Sequence, residues 1–266
     1  MGANMKALRV RIKSIDSTLH LTKAMGLVAS SKIRRATEQM LRGREYSAAV
    51  QNAVRLLTAC RECEKSPFMQ QRDGGTRLIV IAGDRGLAGG YNANIFRLMR
   101  EYPDVQVIPI GKRACDRYAP NAETVSSERF SYADARKLAV EQCAAFAAGE
   151  YARLGIVCTR FVSVMTQVAQ VEWILPLERS ETGSTGVIFE PDERTILDAA
   201  MPEYVAGRLI AAVRESFASE VAARRTAMDS ASDNASTMID DLMLRYNRAR
   251  QGAITQEITE IVAGSN

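Results

Sequence analysis

Residues 5–40, MKALRVRIKSIDSTLHLTKAMGLVASSKIRRATEQM, contain the clearest structural pattern in this chain. The apolar and small residues of this stretch recur at steps that alternate between four and three, which is the heptad stripe of a coiled-coil helix. The stripe consists of Leu8, Ile12, Ile15, Leu19, Thr22, Gly26, Ala29, Ile33, Ala36 and Met40. The pattern predicts a helix from Met5 to about Leu57, roughly 80 Å long. Such a helix cannot bury its stripe alone, so we expect a partner helix.

The C-terminal part of the chain, from Pro202 to Val262, keeps the same spacing and predicts that partner. Its stripe consists of Leu209, Val213, Phe217, Val221, Met228, Ala231, Ala235, Met238, Leu242, Tyr246, Ala249 and Ala253, with the small residues Ala222, Ala223 and Ala227 also expected on the seam. Small facing residues let two helices approach closely. We expect this helix, roughly 90 Å long, to pair antiparallel with the first.

The end of the second helix is more apolar than expected for a helix end that is surrounded by water. If the helices are antiparallel, the tip extends past the start of the first helix. It still carries the apolar residues Ile254, Ile258, Ile261 and Val262. Exposed isoleucines are costly in water, so the sequence predicts a sleeve from a partner protein around the tip.

The middle of the chain predicts an α/β domain. A β-branched run at 77–82 is followed by the glycine-rich turn GDRGLAGG at 83–90, a helix at 91–101 and a strand at 105–110, which is a βαβ unit. A short helix at 111–118, a minor strand at 123–126, a helix at 132–148 and a hairpin of strands at 155–165 and 168–177 complete the predicted elements. The predicted fold is therefore a long antiparallel coiled coil of terminal helices (1–62 and 191–266) plus a central Rossmann-like α/β domain (63–190).

The glycine-rich turn is tested against the two common nucleotide-binding loops. A P-loop needs lysine after its last glycine, whereas Gly90 precedes Tyr91. The Rossmann spacing also fails, because the glycines fall at 83, 86, 89 and 90. A tight strand-to-helix turn is thus favoured over a nucleotide site, and Asp84 and Arg85 are interpreted as an exposed docking point.

Other chemistry finds little support. A net charge of +4 is too small to indicate nucleic acid, and no run of eighteen apolar residues predicts a membrane span. The heptad pattern begins almost at the N-terminus, which leaves no room for a targeting segment. Cys60 and Cys63 form a lone CxxC without a second pair, and His20 has no catalytic partners nearby in sequence. We expect no catalytic, cofactor-binding or metal-binding residues, and a reducing compartment.

Three segments resemble the γ subunit of F-type ATP synthases: RIKSIDSTLHLTKAMGLVASSKIRRA (11–36), GDRGLAGGYN (83–92) and SEVAARRTAMDSASDNASTMIDDLMLRYNRARQGAITQEITEIVAG (219–264). The resemblance implies a non-catalytic rotor that binds no nucleotide. Its coiled coil stands inside a ring of α and β subunits. Its α/β domain lies beside the ε subunit and the c-subunit ring, peripheral to the cytoplasmic face of the membrane.

The resemblance also implies the partner-binding residues. In that family the coiled coil contacts the moving segments of the β subunits, called levers below, at positions that match Lys23, Met25 and Arg224. The polar contacts of the C-terminal helix with β loops match Arg250, Gln251, Thr255 and Glu257, and the apolar bearing matches Ile258, Ile261 and Val262. The family usually has Ser or Thr at Gly83, often Cys at Ala88 and often an apolar residue at Arg225. Two alternatives stay open: a doubly wound nucleotide-binding enzyme, and a coiled-coil scaffold or chromosome-binding arm.

Overall fold

The computed structural model describes residues 2–181 and 189–264, with the side chains of residues 2–4 and 257 left out. The described residues contain five α-helices: α1 (Gly2–Thr58), α2 (Tyr91–Leu98), α3 (Lys112–Tyr118), α4 (Tyr132–Ala147) and α5 (Glu193–Gly264). Within the same ranges there are four strands: β1 (Thr76–Ile81), β2 (Val105–Ile110), β3 (Arg153–Phe161) and β4 (Gln167–Leu175). Short 3-10 helices lie at Arg61–Lys65 and Met99–Glu101. The described residues form two compact units: a helical unit up to residue 30 and from residue 224 onward, and an α/β unit from 31 to 223.

The helical unit is an antiparallel pair of helices. Thr22 of α1 and Ser232 of α5 share a hydrogen bond of 2.8 Å between their hydroxyls, and both are buried. Four residues further along α1, a Cβ atom on Gly26 would lie 3.6 Å from the Cβ of Met228, four residues back along α5. The numbers rise on one helix as they fall on the other, which confirms the antiparallel coiled coil. The small seam residues bring the two backbones close.

The heptad stripe of α1 is confirmed, because every one of its ten residues is buried or half-buried. On α5 one predicted position is wrong. Met238 is 51% exposed, whereas its neighbour Ile239 is half-buried. A step of four from Ala235 to Ile239, followed by a step of three to Leu242, keeps the alternation that the seam requires. The expected step of three to Met238 turns that side chain away from the seam.

The α/β unit has a four-stranded sheet in the order β2-β1-β3-β4. β1 runs parallel to β2 and β3, while β3 and β4 form the predicted antiparallel hairpin. Alternate residues of each strand face opposite layers. Ile79 and Ile156 pack in the core with α4 and α5, whereas Leu78, Val80 and Val157 pack in the core with α2. The α/β expectation is therefore confirmed, as a sheet covered on both faces.

The parts of α1 and α5 that belong to the α/β unit also pair antiparallel. A Cβ on Gly43 would lie 3.4 Å from the Cα of Ala211, whereas Gln51, further along α1, accepts a hydrogen bond of 2.7 Å from Arg208, which lies further back along α5. Ala223, expected on the seam, packs against the core on the α2 side of the sheet.

Two further predictions need correction. Residues 123–126 do not form a strand. The Val125 carbonyl accepts one hydrogen bond of 2.7 Å from the Gly111 N–H. The N–H groups of Ser127 and Glu128 donate to the Asp84 carboxylate and not to a neighbouring strand. Both hairpin strands end earlier than predicted, and residues 162–166 form the turn between them.

The division of the chain into three parts, with boundaries at 62/63 and 190/191, stays a prediction. Among the described residues, no helix has a stretch long and apolar enough for a membrane span.

Candidate docking surfaces

The predicted lever contacts lie on the helical unit. Lys23 is exposed on α1, Met25 on the same helix is half-buried, and Arg224 is half-buried on α5. Met25 adjoins Gly26, whose Cβ would lie 3.4 Å from Asp229 Oδ1, so it flanks the seam. Arg224 lies four residues before Met228, which is opposite Gly26. The structure thus places the three residues on one stretch of the pair, within about two helical turns of one another.

The second predicted surface is the end of α5. Continuing the register of Thr22 and Ser232 for twenty residues brings Gly252 opposite Gly2, so the last turns of α5 extend beyond the start of α1. The predicted contact residues on this extension or just before it are exposed: Arg250, Gln251, Thr255, Ile258, Ile261 and Val262. Ile261 is 72% exposed and Ile258 57% exposed. The Glu257 side chain lies outside the described residues.

The glycine-rich turn uses Asp84 differently from the prediction. Its carboxylate is half-buried and accepts hydrogen bonds from the backbone N–H groups of Lys112 (2.9 Å), Ser127 (3.1 Å) and Glu128 (3.0 Å) and from the Ser126 hydroxyl (2.7 Å). Burial opposes the charge, but the hydrogen bonds to Glu128, Ser126, Lys112 and Ser127 outweigh it and lower the pKa of Asp84. Asp84 therefore holds the loop after α3 and is a structural anchor.

Arg85 does fit the predicted exposed position. Its guanidinium is 68% exposed and lies 3.8 Å from the Glu128 carboxylate, which also pairs with Lys32 of α1 at 2.7 Å. A contact of that length at that exposure is weak. Sequence reasoning missed the loop at 126–128, since nothing in its residues signals that an aspartate forty positions earlier binds it.

We predict that replacing Asp84 with Asn destabilises the α/β unit. The amide keeps the shape but replaces one carboxylate oxygen with an NH₂ group and carries no charge, so two of the four donors lose their acceptor and the other two keep only a neutral one, at a cost of about 1–3 kcal/mol. Because the folded-state pKa of Asp84 is lowered, its contribution is present above the unfolded-state value of about 3.9 and is lost as the pH falls through the folded value. Urea unfolding should therefore give a lower free energy of unfolding for Asp84→Asn than for the parent chain at pH 7, and this difference should become smaller below about pH 4. The exposed Asp104 replaced with Asn is the control, and an equal loss there would contradict the prediction.

The same turn is unsuited to phosphate. Gly83 follows β1, and its N–H donates to the Asn92 side chain at 2.9 Å. A Cβ on Gly83 would lie 2.7 Å from the Cδ of Glu220, so this carboxylate of α5 packs directly on the glycine. Glu220 is only 3% exposed. A phosphate approaching Gly83 would meet a buried carboxylate as well as an N–H that already has an acceptor.

We also searched the described part of the chain for reactive cysteines and for groups of side chains that could hold a metal ion. All five cysteines are free thiols, and burial raises the pKa of Cys143 and Cys158 to about 12. Burial first, and the charge of Cys60 second, raise the pKa of Cys63 to about 11. These thiols are poor nucleophiles at neutral pH. No group of three or more metal-ligating side chains comes together in the ranges that the structure describes.

Known proteins of one family are similar to this chain over almost its whole length. A family model described as ATP synthase matches residues 4–266. The ATP synthase gamma chain of Ruminococcus albus is 40% identical over 280 residues, which covers 99% of this chain and 98% of that protein. The gamma chain of a Geobacter species is 36% identical over 285 residues, with the same coverage of both chains.

Solved structures show a likeness of fold. A chain from the rotor of Euglena gracilis mitochondrial ATP synthase matches with a TM-score of 0.67 at 16% identity, over 96% of this chain and 100% of that one. A chain from the central stalk and c-ring of the Tetrahymena thermophila enzyme matches with a TM-score of 0.59 at 22% identity, over 80% and 99% of the two chains.

Proposed function

This chain belongs to the family of ATP synthase gamma chains, and we propose that it is the rotating central stalk that couples ion flow through a membrane ring to ATP synthesis or hydrolysis. Members of this family are non-catalytic subunits, and the chemistry takes place on the β subunits around the stalk. The partners of this chain would be the α and β subunits, the ε subunit and the c-subunit ring. It would act at the cytoplasmic face of the cell membrane, as a peripheral part of the complex.

The observation that carries this proposal is the end of α5. Its side chains Ile254, Ile258, Ile261 and Val262 are all about half exposed or more, on a helix that continues past the start of α1. Burying four such side chains stabilises a complex by several kcal/mol, at about 25 cal/mol per Å² of apolar surface. A sleeve formed by the α and β subunits supplies that burial, and a smooth apolar end can turn inside it.

The lever contacts are proposed on the flank of the seam. Lys23 and Met25 on α1, with Arg224 on α5, present two basic groups and one apolar group within a short stretch of the helix pair. A β-subunit lever with acidic residues would find charge complementarity there. Arg250, Gln251 and Thr255 would make polar contacts near the end of α5, and Arg85 would contribute at the glycine-rich turn.

Co-purification and nucleotide titration test the proposal together. We expect a tagged chain, expressed with α and β subunits, to recover them in a complex that survives high salt and hydrolyses ATP. Isothermal titration of the chain alone with ATP or ADP should show no binding at millimolar concentration. Nucleotide binding with a dissociation constant in the micromolar range would instead support the doubly wound enzyme. Failure to recover α and β subunits would favour the scaffold.

A further inference from the structure

The turn between β3 and β4, residues 162–166, carries apolar side chains that face solvent. Met165 is 75% exposed, Val162 59% and Val164 36%, and the neighbouring Val168 is 46% exposed. The sequence of this turn contains no charged residue. Single exposed apolar residues are common on any protein, but four within seven positions form a contiguous projection.

The backbone of this turn is ordered by its own hydrogen bonds. The N–H groups of Val162 and Ser163 donate to the Thr166 carbonyl at 3.2 and 3.0 Å. The Gln167 side chain donates to the carbonyls of Ser163 and Val164 at 3.1 and 2.7 Å. The backbone positions from which the apolar side chains project are therefore fixed, which lowers the backbone entropy cost of binding a partner.

The base of the turn is fixed to both long helices. Arg44 of α1 donates from Nη2 to the Phe161 carbonyl at 2.9 Å, and the Phe161 N–H donates to Glu215 of α5 at 2.9 Å. Arg44 and Glu215 also pair with each other, so one ion pair closes around the last residue of β3. A force applied to the turn would pass directly to the helices.

The turn lies at the edge of the sheet that we call the carboxyl edge, where β1, β2 and β3 end. Because β1 and β3 are adjacent and parallel, the glycine-rich turn and the β3–β4 turn leave the sheet side by side. Lys32 of α1 contacts this edge through Glu128, and Glu220 of α5 contacts it at Gly83. Both residues lie close to positions 31 and 223, the limits of the α/β unit. Parts of both long helices within the α/β unit therefore lie against the carboxyl edge.

The charge around the turn selects the chemistry of a partner. Arg160 is exposed at the end of β3, and the hairpin has no acidic residue between Arg153 and Glu172. Arg85, on the neighbouring turn of the same edge, is exposed as well. A matching surface would offer a shallow apolar pocket with carboxylates on its rim.

We propose that the β3–β4 turn is a second docking point of the stalk, which inserts Val164 and Met165 into acid-rimmed apolar pockets on the α or β subunits of the ring. This inference rests on the proposed function, because the α and β subunits are the partners that the proposed function assigns to this chain. The contact is small and of the transient class, as a surface that meets successive subunits during rotation requires. Methionine suits such a role, since its flexible thioether adapts to differing pockets.

The test uses the complete complex in membrane vesicles. A photo-reactive benzophenone side chain at position 165 should crosslink to an α or β subunit, at a peptide that contains acidic residues. Met165→Asp should lower ATP-driven proton pumping about fivefold or more, because it adds like charge facing the carboxylates and removes apolar contact. Val140→Asp on α4, a side chain 47% exposed, is the matched control and should pump normally.

The outcomes separate this inference from the proposed function. Crosslinks only to the ε subunit, to c subunits or to a second copy of this chain would overturn the docking point, as would equal pumping by the Met165→Asp and Val140→Asp complexes. In each of those cases the chain would still co-purify with a coupled complex, so the central-stalk function would stand. If the wild-type chain fails to assemble with α and β subunits at all, the proposed function itself is wrong.

Discussion

Replacing Gly111 with alanine is expected to leave little folded protein. Gly111 connects β2 to α3 with φ of +92°, where side chains are strained, and an added Cβ would lie 1.8 Å from the Ala82 carbonyl oxygen. That oxygen belongs to backbone fixed on the sheet, since the Ala82 N–H donates to the Ile110 carbonyl at 2.9 Å. Neither side can shift without breaking the end of the β1–β2 ladder. We expect a loss of about 4 kcal/mol or more, a large share of the 5–15 kcal/mol typical of a domain.

Soluble yield and thermal unfolding followed by circular dichroism measure this effect. Gly75→Ala is the matched control, because a Cβ at Gly75 meets no heavy atom within 4 Å. The control should stay within about 0.5 kcal/mol of the parent chain. An unfolding midpoint of Gly111→Ala equal to that of the control would show that the turn at 111 relaxes without cost.

Replacing Met25 with lysine is expected to uncouple the complex while the chain still folds. Met25 is half-buried beside the seam, so the longer lysine can extend its ammonium into water at small cost to stability. The new cation would join Lys23 and Arg224 on one stretch of the helix pair. In the proposed rotor it would grip an acidic β lever at one angle and resist the next step. We expect proton pumping per ATP hydrolysed to fall about tenfold, which corresponds to roughly 1.4 kcal/mol in the balance between coupled and uncoupled turnover.

The measurement compares ATP hydrolysis with acidification of inverted vesicles, detected with a pH-sensitive dye. Met25→Leu is the matched control, because it keeps the volume and adds no charge. The leucine variant should pump like the parent complex. Unchanged proton pumping per ATP in the lysine variant would exclude Met25 from the lever contact. A complex that fails to assemble would instead indicate a structural role for Met25.

Much of the fold is predictable because its signals are local or periodic. The stripe from Leu8 to Met40 follows from the geometry of a helix that must bury one side, and all of it is buried or half-buried. The β1 run and the glycine-rich turn likewise carry their own strand and turn chemistry. The error at Met238 shows the limit of this reasoning. Both Met238 and Ile239 are apolar, and only the partner helix decides which of them faces the seam.

The candidate site is less predictable because it depends on contacts between distant residues. Asp84 reads as an exposed polar residue in its local sequence, yet four donors between Lys112 and Glu128 surround its carboxylate. Glu220 lies in a helix rich in charge, but it is buried against Gly83. Neither pairing leaves a sequence pattern, since each joins segments 28 to 137 positions apart.

The long helices, their antiparallel pairing, the βαβ order and the resemblance that leads to the stalk function could all be predicted from the amino-acid sequence. Those properties follow from apolar periodicity and from residue types at fixed spacing, and both can be read from the order of residues along the chain. Three features emerged from the folded structure alone: Glu220 packs on Gly83 in the glycine-rich turn, Asp84 anchors the loop after α3, and the β3–β4 turn projects apolar side chains from an ordered backbone. These depend on which side chains meet across the fold, because burial and hydrogen bonding are set by the packing of distant segments.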